Sequence, residues 1–176
     1  ISNSTADYGG AVYMISSTLT LSDITIVNNV ANERGGGFYL ETSNDVTISN
    51  IVIESNKAPR GAGLYLDRSA ANLQANQIRN NGDNATLEGG GIYLDNSAAT
   101  VQGNTIHGNK AANGAGIFTH QSDAQISQNT ITENEASNVS SGRGGGCFIG
   151  TGASVVANNT IQNNKALYGA GCFFDE

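Results

Sequence analysis

Acidic residues recur at one position of a repeated motif, two residues after an aromatic residue; they are Glu41, Asp67 and Asp95. If the motifs stack as neighbouring β-strands, successive carboxyl groups lie about 5 Å apart, as they do in retaining glycosidases. Asp67 and Asp95 are therefore the candidate catalytic pair. All three carboxylates form a candidate cation site, with Ca²⁺ as the cation. The alternative that we favour is a turn in which each side chain bonds to local backbone.

The aromatic residue is present in all seven copies of the motif. Alternation along a strand places it on the face opposite its apolar neighbours, so we expect an outward, exposed stripe of rings. Flat rings suit sugar stacking or protein docking. The alternative role is structural, because stacked rings shield the backbone and reinforce strand pairing. The candidate ligand-binding residues are Tyr39, Tyr65, Tyr93 and Phe118.

Two cysteines and two histidines are the other reactive side chains. Cys147 and Cys172 occupy the same inward position in adjacent repeats, which is compatible with a disulfide and equally with two buried thiols. His107 and His120 belong to different positions of the repeat, so they predict no shared metal site.

Four N-x-[ST] sequences are candidate glycosylation sites. Three of them fall at one predicted corner of the coils, which contains the N-terminal turn and the longer segments between an I-x-x-N block and the next glycine block. The acceptor residues are Asn3, Asn84, Asn138 and Asn158.

The elements that position these residues follow from the repeat. Seven blocks of the form G-[GA]-[GA]-apolar-[YF] start 25 to 30 residues apart, and an I-x-x-N block lies between each pair. Each unit contains three short runs in which apolar and polar residues alternate, the period of a half-buried strand. One unit cannot bury its inner face alone, so the units must stack. Residues 1–176 are predicted to form one all-β domain, a right-handed parallel β-helix of about six to seven coils of about 25–30 residues.

Polar residues recur at the predicted corners, where an amide can bond the next coil. One asparagine column belongs to the I-x-x-N blocks, and a second asparagine column and a serine column mark the other corners. The columns are Asn29, Asn56, Asn81, Asn109, Asn134 and Asn164; Asn76, Asn104, Asn129 and Asn159; and Ser17, Ser43, Ser69, Ser97 and Ser122.

Blocks such as GGAV, GGGF and GAGL, paired with I-x-x-N, resemble the GGA[ILV] and FxxN repeats of polymorphic outer-membrane proteins, which are autotransporter-type surface adhesins. The resemblance covers nearly the whole chain, but Ile stands where that family has Phe. It implies a β-helix and a location that is extracellular or at the cell surface. The wider pectate-lyase-like superfamily includes enzymes and tailspikes that bind or cleave polysaccharides.

Charge and composition exclude some functions. A net charge of −7 without a basic stripe disfavours nucleic acid as a partner, and no apolar run is long enough to span a membrane. Neither end carries a capping helix, so we expect a piece of a longer solenoid, whose partners are the rest of that chain or neighbouring subunits.

The favoured interpretation is a noncatalytic structural or adhesive segment of a larger surface protein. One form of this hypothesis is that the protein assembles into fibres. No cofactor is required apart from the candidate Ca²⁺. A polysaccharide-binding or polysaccharide-cleaving β-helix is the alternative, with glycans as partners, and whether the chain is an enzyme stays open.

Overall fold

The computed structural model describes residues 1–138 and 140–175, and every element in them is a β-strand. The strands are β1 (Thr5–Tyr8), β2 (Val12–Ile15), β3 (Thr20–Ser22), β4 (Thr25–Val27), β5 (Val30–Arg34), β6 (Phe38–Glu41), β7 (Asn44–Ser49), β8 (Val52–Glu54), β9 (Leu64–Asp67), β10 (Ala70–Gln74), β11 (Gln77–Arg79), β12 (Ile92–Asp95), β13 (Thr100–Gln102), β14 (Thr105–His107), β15 (Lys110–Ala111), β16 (Ile117–His120), β17 (Gln125–Ser127), β18 (Thr130–Thr132), β19 (Glu135–Ala136), β20 (Cys147–Ile149), β21 (Val155–Ala157), β22 (Thr160–Gln162) and β23 (Cys172–Phe174).

Three parallel sheets run the length of the molecule. Sheet 1 contains the glycine-block strands in the order β2-β6-β9-β12-β16-β20-β23. Sheet 2 has the order β3-β7-β10-β13-β17-β21, and sheet 3 has the order β4-β8-β11-β14-β18-β22. The pairs β1-β5 and β15-β19 lie at the corner before the glycine blocks. The predicted fold class, a right-handed parallel β-helix, is confirmed, with about six turns.

The core lies inside the three sheets, where equivalent residues of successive coils stack in register. Ile78, Ile106 and Ile131 are directly paired on neighbouring strands of sheet 3, and all three are fully buried. Alternation along each strand therefore places at least one apolar ladder per sheet in the interior, and burial of these ladders is the main stabilising contribution.

Polar ladders close the corners of the coils. The side-chain amide of Asn81 donates to Asn109 Oδ1 at 3.0 Å and to the Ile53 carbonyl at 2.9 Å, and its own Oδ1 accepts from the backbone N–H of Asn56. The serine column is similar, because the backbone N–H of Ser69 donates to Ser97 Oγ at 3.0 Å. The predicted asparagine and serine ladders are confirmed, and their buried polar atoms are satisfied between coils.

Glycines are required where neighbouring coils approach closely. Gly61, at the first block position, has φ +59°, and a Cβ there would lie 2.5 Å from the Leu64 carbonyl oxygen. At the third block position, a Cβ on Gly116 would lie 2.4 Å from the Gly146 carbonyl oxygen of the next coil. The glycine blocks are therefore explained by the turn and by coil spacing.

In the part of the chain that the structure describes, no helix has the length and hydropathy needed to cross a membrane.

Candidate functional site

The aromatic residues of sheet 1 form a second apolar cluster outside the main core. Tyr39, Tyr65, Tyr93 and Phe118 belong to it, as does Phe148, and each is only 1% to 7% exposed. The aromatic side chains point away from the main core, as predicted. They do not form an exposed stripe, however, so that part of the prediction is wrong. The exceptions lie at the two ends of the column, where Tyr13 is 47% exposed and Phe173 is only partly buried.

Neighbouring rings and arginines bury the column. Phe118 lies 4.9 Å from Tyr93 and 4.5 Å from Phe148 between ring centroids, with interplanar angles of 23° and 15°. The guanidinium of Arg34 lies 5.2 Å from the Tyr65 centroid. Since both flat faces of Phe118 are covered by other rings, sugar stacking on those faces is excluded in this arrangement.

The tyrosine hydroxyls explain the acidic column. Three of the four hydroxyls in the column reach the carboxylate of the next coil, with O···O distances of 2.5 Å for Tyr13 and Glu41, 3.4 Å for Tyr39 and Asp67, and 2.8 Å for Tyr65 and Asp95. Sequence reasoning identified both columns but missed this pairing between coils.

Asp67 and Asp95 are brought together, as predicted, on directly paired positions of β9 and β12. Their carboxylates are already engaged, because Asp67 pairs with Arg68 at 3.1 Å and Asp95 accepts from Asn96 Nδ2 at 3.0 Å. Burial raises the pKa of Asp67, and the Arg68 guanidinium opposes this rise. The geometry assigns these carboxylates to holding tyrosines and basic side chains, and it does not favour a catalytic pair.

The candidate cation site at Glu41, Asp67 and Asp95 also has a protein cation in place. Arg68 lies 3.3 Å from Glu41 and 3.1 Å from Asp67. The favoured turn role needs one correction, because the carboxylates of Asp67 and Asp95 bond to side chains of other residues. The turn itself is made by the left-handed residue that follows, as at Arg68 with φ +48°, and by Ser69 Oγ, which donates to the Asp67 carbonyl.

Burial of the tyrosines has a consequence at alkaline pH. Burial raises the pKa of Tyr39 to about 12, and it raises the pKa values of Tyr65 and Tyr93 further above the ordinary value near 10. The stabilising effect of keeping these hydroxyls neutral is complete below pH about 10. It is lost as the pH rises through the folded-state pKa, because only the unfolded chain ionises freely in that range.

We therefore expect tyrosinate absorbance to rise in two phases during an alkaline titration. The second phase, from Tyr39, Tyr65 and Tyr93, should coincide with loss of the β-sheet circular dichroism signal. The variant Tyr65→Phe should remove one tyrosine from that second phase. A single ionisation phase near pH 10 with the fold retained would contradict this expectation.

A cleft of about 560 Å³ opens beside the aromatic column where the repeat changes. Its lining includes Phe118 and Phe148, which lack hydroxyls, and Gly150, which stands where four other coils carry an acid. Arg143 and His120 also line it, and the Nδ1 atom of His120 lies 3.0 Å from Asp95 Oδ1. At this cleft the column therefore lacks the tyrosine hydroxyls, and at Gly150 it also lacks the carboxylate. The departures from the repeat at Phe118 and Gly150 were the sequence signal for it.

The remaining predicted sites lie apart from this cleft. Asn3, Asn84 and Asn158 are exposed, and Asn138 Oδ1 accepts from the Ser140 and Ser141 backbone. Val139, the middle residue of the Asn138 glycosylation sequence, lies outside the described residues. Glycosylation of these residues stays a prediction.

Most side chains that bind soft metal ions lie apart in the described residues. His107 lies on sheet 3 and His120 on sheet 1. Met14 is buried in the first coil, and Cys147 and Cys172, both free, are paired on sheet 1. In residues 1–138 and 140–175, no group of three or more His, Cys, Asp or Glu side chains is placed to hold a metal ion.

Comparison with known proteins gives one match. Residues 2–172 match the family described as "Periplasmic copper-binding protein (NosD)". No curated protein and no solved structure matches. Copper favours thiolate, thioether and imidazole ligands. In the described residues the Cys147 and Cys172 thiols are paired, but no third His, Cys, Asp or Glu side chain joins them, so these residues offer no copper site of three or more such ligands. The match spans nearly the whole chain and agrees with the β-helix fold, so the chain belongs to the NosD family.

Proposed function

We propose that this chain is a noncatalytic structural segment of a periplasmic or cell-surface repeat protein. In this proposal, it is one continuous β-helix domain whose terminal coils stack on further coils of the same kind. The family's periplasmic description supports the location. The in-register stacking of all seven sheet 1 strands supports a rigid spacer role.

The observation that carries the proposal is the position of exposed apolar side chains. Among the large ones in the described residues, six lie within residues 1–30 and four within 155–174, and Leu87 is the remaining one. Tyr13 is 47% exposed, whereas the equivalent Tyr39 is 4% exposed. Phe174 is 63% exposed, whereas the equivalent Ile149 is 6% exposed. Another coil stacked on either end would cover these side chains and pair the edge strands.

Concentration-dependent sedimentation and small-angle scattering test this proposal on the chain as it is. We expect elongated oligomers that grow in one dimension as the concentration rises. Phe174→Lys should weaken this association by roughly tenfold or more, because burial of a Phe side chain contributes about 1.5–3 kcal/mol. Leu87→Lys is the control, since Leu87 is 49% exposed but lies in a loop away from both ends.

A chain that stays monomeric at all concentrations would contradict end stacking. So would oligomers that respond equally to Phe174→Lys and Leu87→Lys. Circular dichroism should show the same β-sheet content in both variants.

Saccharide binding is a second candidate function, favoured by the cleft beside Phe118 and Phe148. Arg143 and Asp175 supply polar groups beside the edges of the Phe118 and Phe148 rings, and such polar groups suit the hydroxyls of a sugar. The chain should be incubated with neutral and acidic polysaccharides, with and without Ca²⁺, while retention and glycan length are followed. We expect retention that Arg143→Ala lowers and Lys57→Ala leaves unchanged, without shortening of the glycan. Shortening that Asp67→Asn abolishes would instead identify an enzyme.

A further inference from the structure

Cys147 and Cys172 occupy directly paired positions on β20 and β23 of sheet 1. Both hold the fourth position of a glycine block, so both side chains point into the core. Neighbouring parallel strands lie about 4.8 Å apart. This spacing falls within the range of about 4.4–6.8 Å between Cα atoms that a disulfide spans.

The two thiols differ in accessibility. Cys147 is fully buried between coils, whereas Cys172 is half-buried because it lies in the last described coil. The two thiols interact, and this interaction lowers the pKa of Cys172 and, together with burial, raises the pKa of Cys147. Cys172 is therefore the sulfur that an external reagent reaches first, and Cys147 is placed to attack it from within.

We propose that Cys147 and Cys172 form a reversible disulfide that ties the coil containing β23 to the coil containing β20. This inference concerns the described residues on their own, in which β23 is an edge strand of sheet 1. The oxidant is a small-molecule disulfide such as oxidised glutathione, and the periplasm is a compartment where disulfides persist.

The exchange has two steps. The Cys172 thiolate attacks one glutathione sulfur, the glutathione disulfide bond breaks, and one glutathione leaves and takes up the thiol proton. The Cys147 sulfur then loses its proton and attacks Cys172 Sγ, which releases the second glutathione as a thiol. The cysteine pair loses two electrons, and the glutathione disulfide gains them.

The disulfide would act on the edge strand of sheet 1. In the described residues, β23 pairs only with β20, so its backbone bonds open most readily at that end. Opening would expose Phe148 and Ile149 of the coil beneath. A covalent link between Cys147 and Cys172 restricts this opening and keeps β23 in register with β20.

The test equilibrates the folded full chain with glutathione buffers of graded potential and analyses it by intact mass and peptide mapping. We expect the wild type to lose two hydrogens and to give one Cys147–Cys172 cross-linked peptide. Amide exchange in residues 172–174 should slow by roughly tenfold or more on oxidation.

Cys147→Ala provides the matched variant, because it keeps a small apolar residue in the core and removes the attacking thiol. It should accumulate a stable glutathione adduct at Cys172, while the wild type should not. The proposal is overturned if the folded wild type keeps both thiols free, if it retains the same adduct, or if it forms only links between chains.

Discussion

Replacing Ile106 with aspartate should abolish cooperative folding. Ile106 is fully buried at the centre of sheet 3, paired with Ile78 on one side and Ile131 on the other. Loss of the isoleucine side chain alone costs about 2–5 kcal/mol. An unpaired carboxyl group in the apolar core adds several kcal/mol, so the total approaches the roughly 5–15 kcal/mol by which domains are stable. Far-ultraviolet circular dichroism and urea unfolding measure the effect.

Thr105→Asp is the matched control for Ile106→Asp. Thr105 precedes Ile106 on the same strand, but its side chain is exposed, so the same carboxylate remains in water. We expect this control to change the free energy of unfolding by less than about 0.5 kcal/mol. A folded Ile106→Asp variant with similar stability would show that the interior of sheet 3 is not the apolar ladder described above.

Removing one rung of the asparagine ladder should have the second largest effect. In Asn81→Ala, the backbone N–H and side-chain amide of Asn56 lose their acceptor, and the Ile53 carbonyl loses a donor. These groups are buried, and each unsatisfied group costs about 1–3 kcal/mol. We expect the free energy of unfolding to fall by about 3–6 kcal/mol, measured by urea titration.

Asn84→Ala is the control for the ladder variant, because Asn84 is exposed in the loop that follows Asn81. It should alter stability by less than about 0.5 kcal/mol. Equal stability of Asn81→Ala and Asn84→Ala would mean that water replaces the ladder at no cost, and the ladder would not be a stabilising element.

The fold and the interior could be predicted from the sequence because the repeat imposes one environment on each position. Ile106 occupies the same place in its block as Ile78 and Ile131, so alternation within one strand is enough to assign all three to the core. The asparagine ladders were predictable for the same reason, since one side-chain amide can form hydrogen bonds with both the coil above and the coil below.

Burial of the aromatic column could not be predicted from alternation, which gives a side-chain direction but not what covers it. Tyr65 points away from the core, yet Arg34 and the neighbouring rings cover it. These contacts join residues about one coil apart, and no single strand contains them. The pairing of tyrosines with acids had only a partial sequence signal: Tyr13, Tyr39 and Tyr65 are each followed one coil later by an acid, but Tyr93 is followed by His120.

The matched register of the three sheets makes the length of the molecule adjustable in fixed steps. Every sheet 1 strand from β2 to β23 presents the same ladder positions to its neighbours. Loss or duplication of one complete repeat would therefore rejoin equivalent surfaces and change the rod by about 4.8 Å. Recombination between repeats would then alter the reach of the protein in units of one coil while each remaining coil keeps its own contacts.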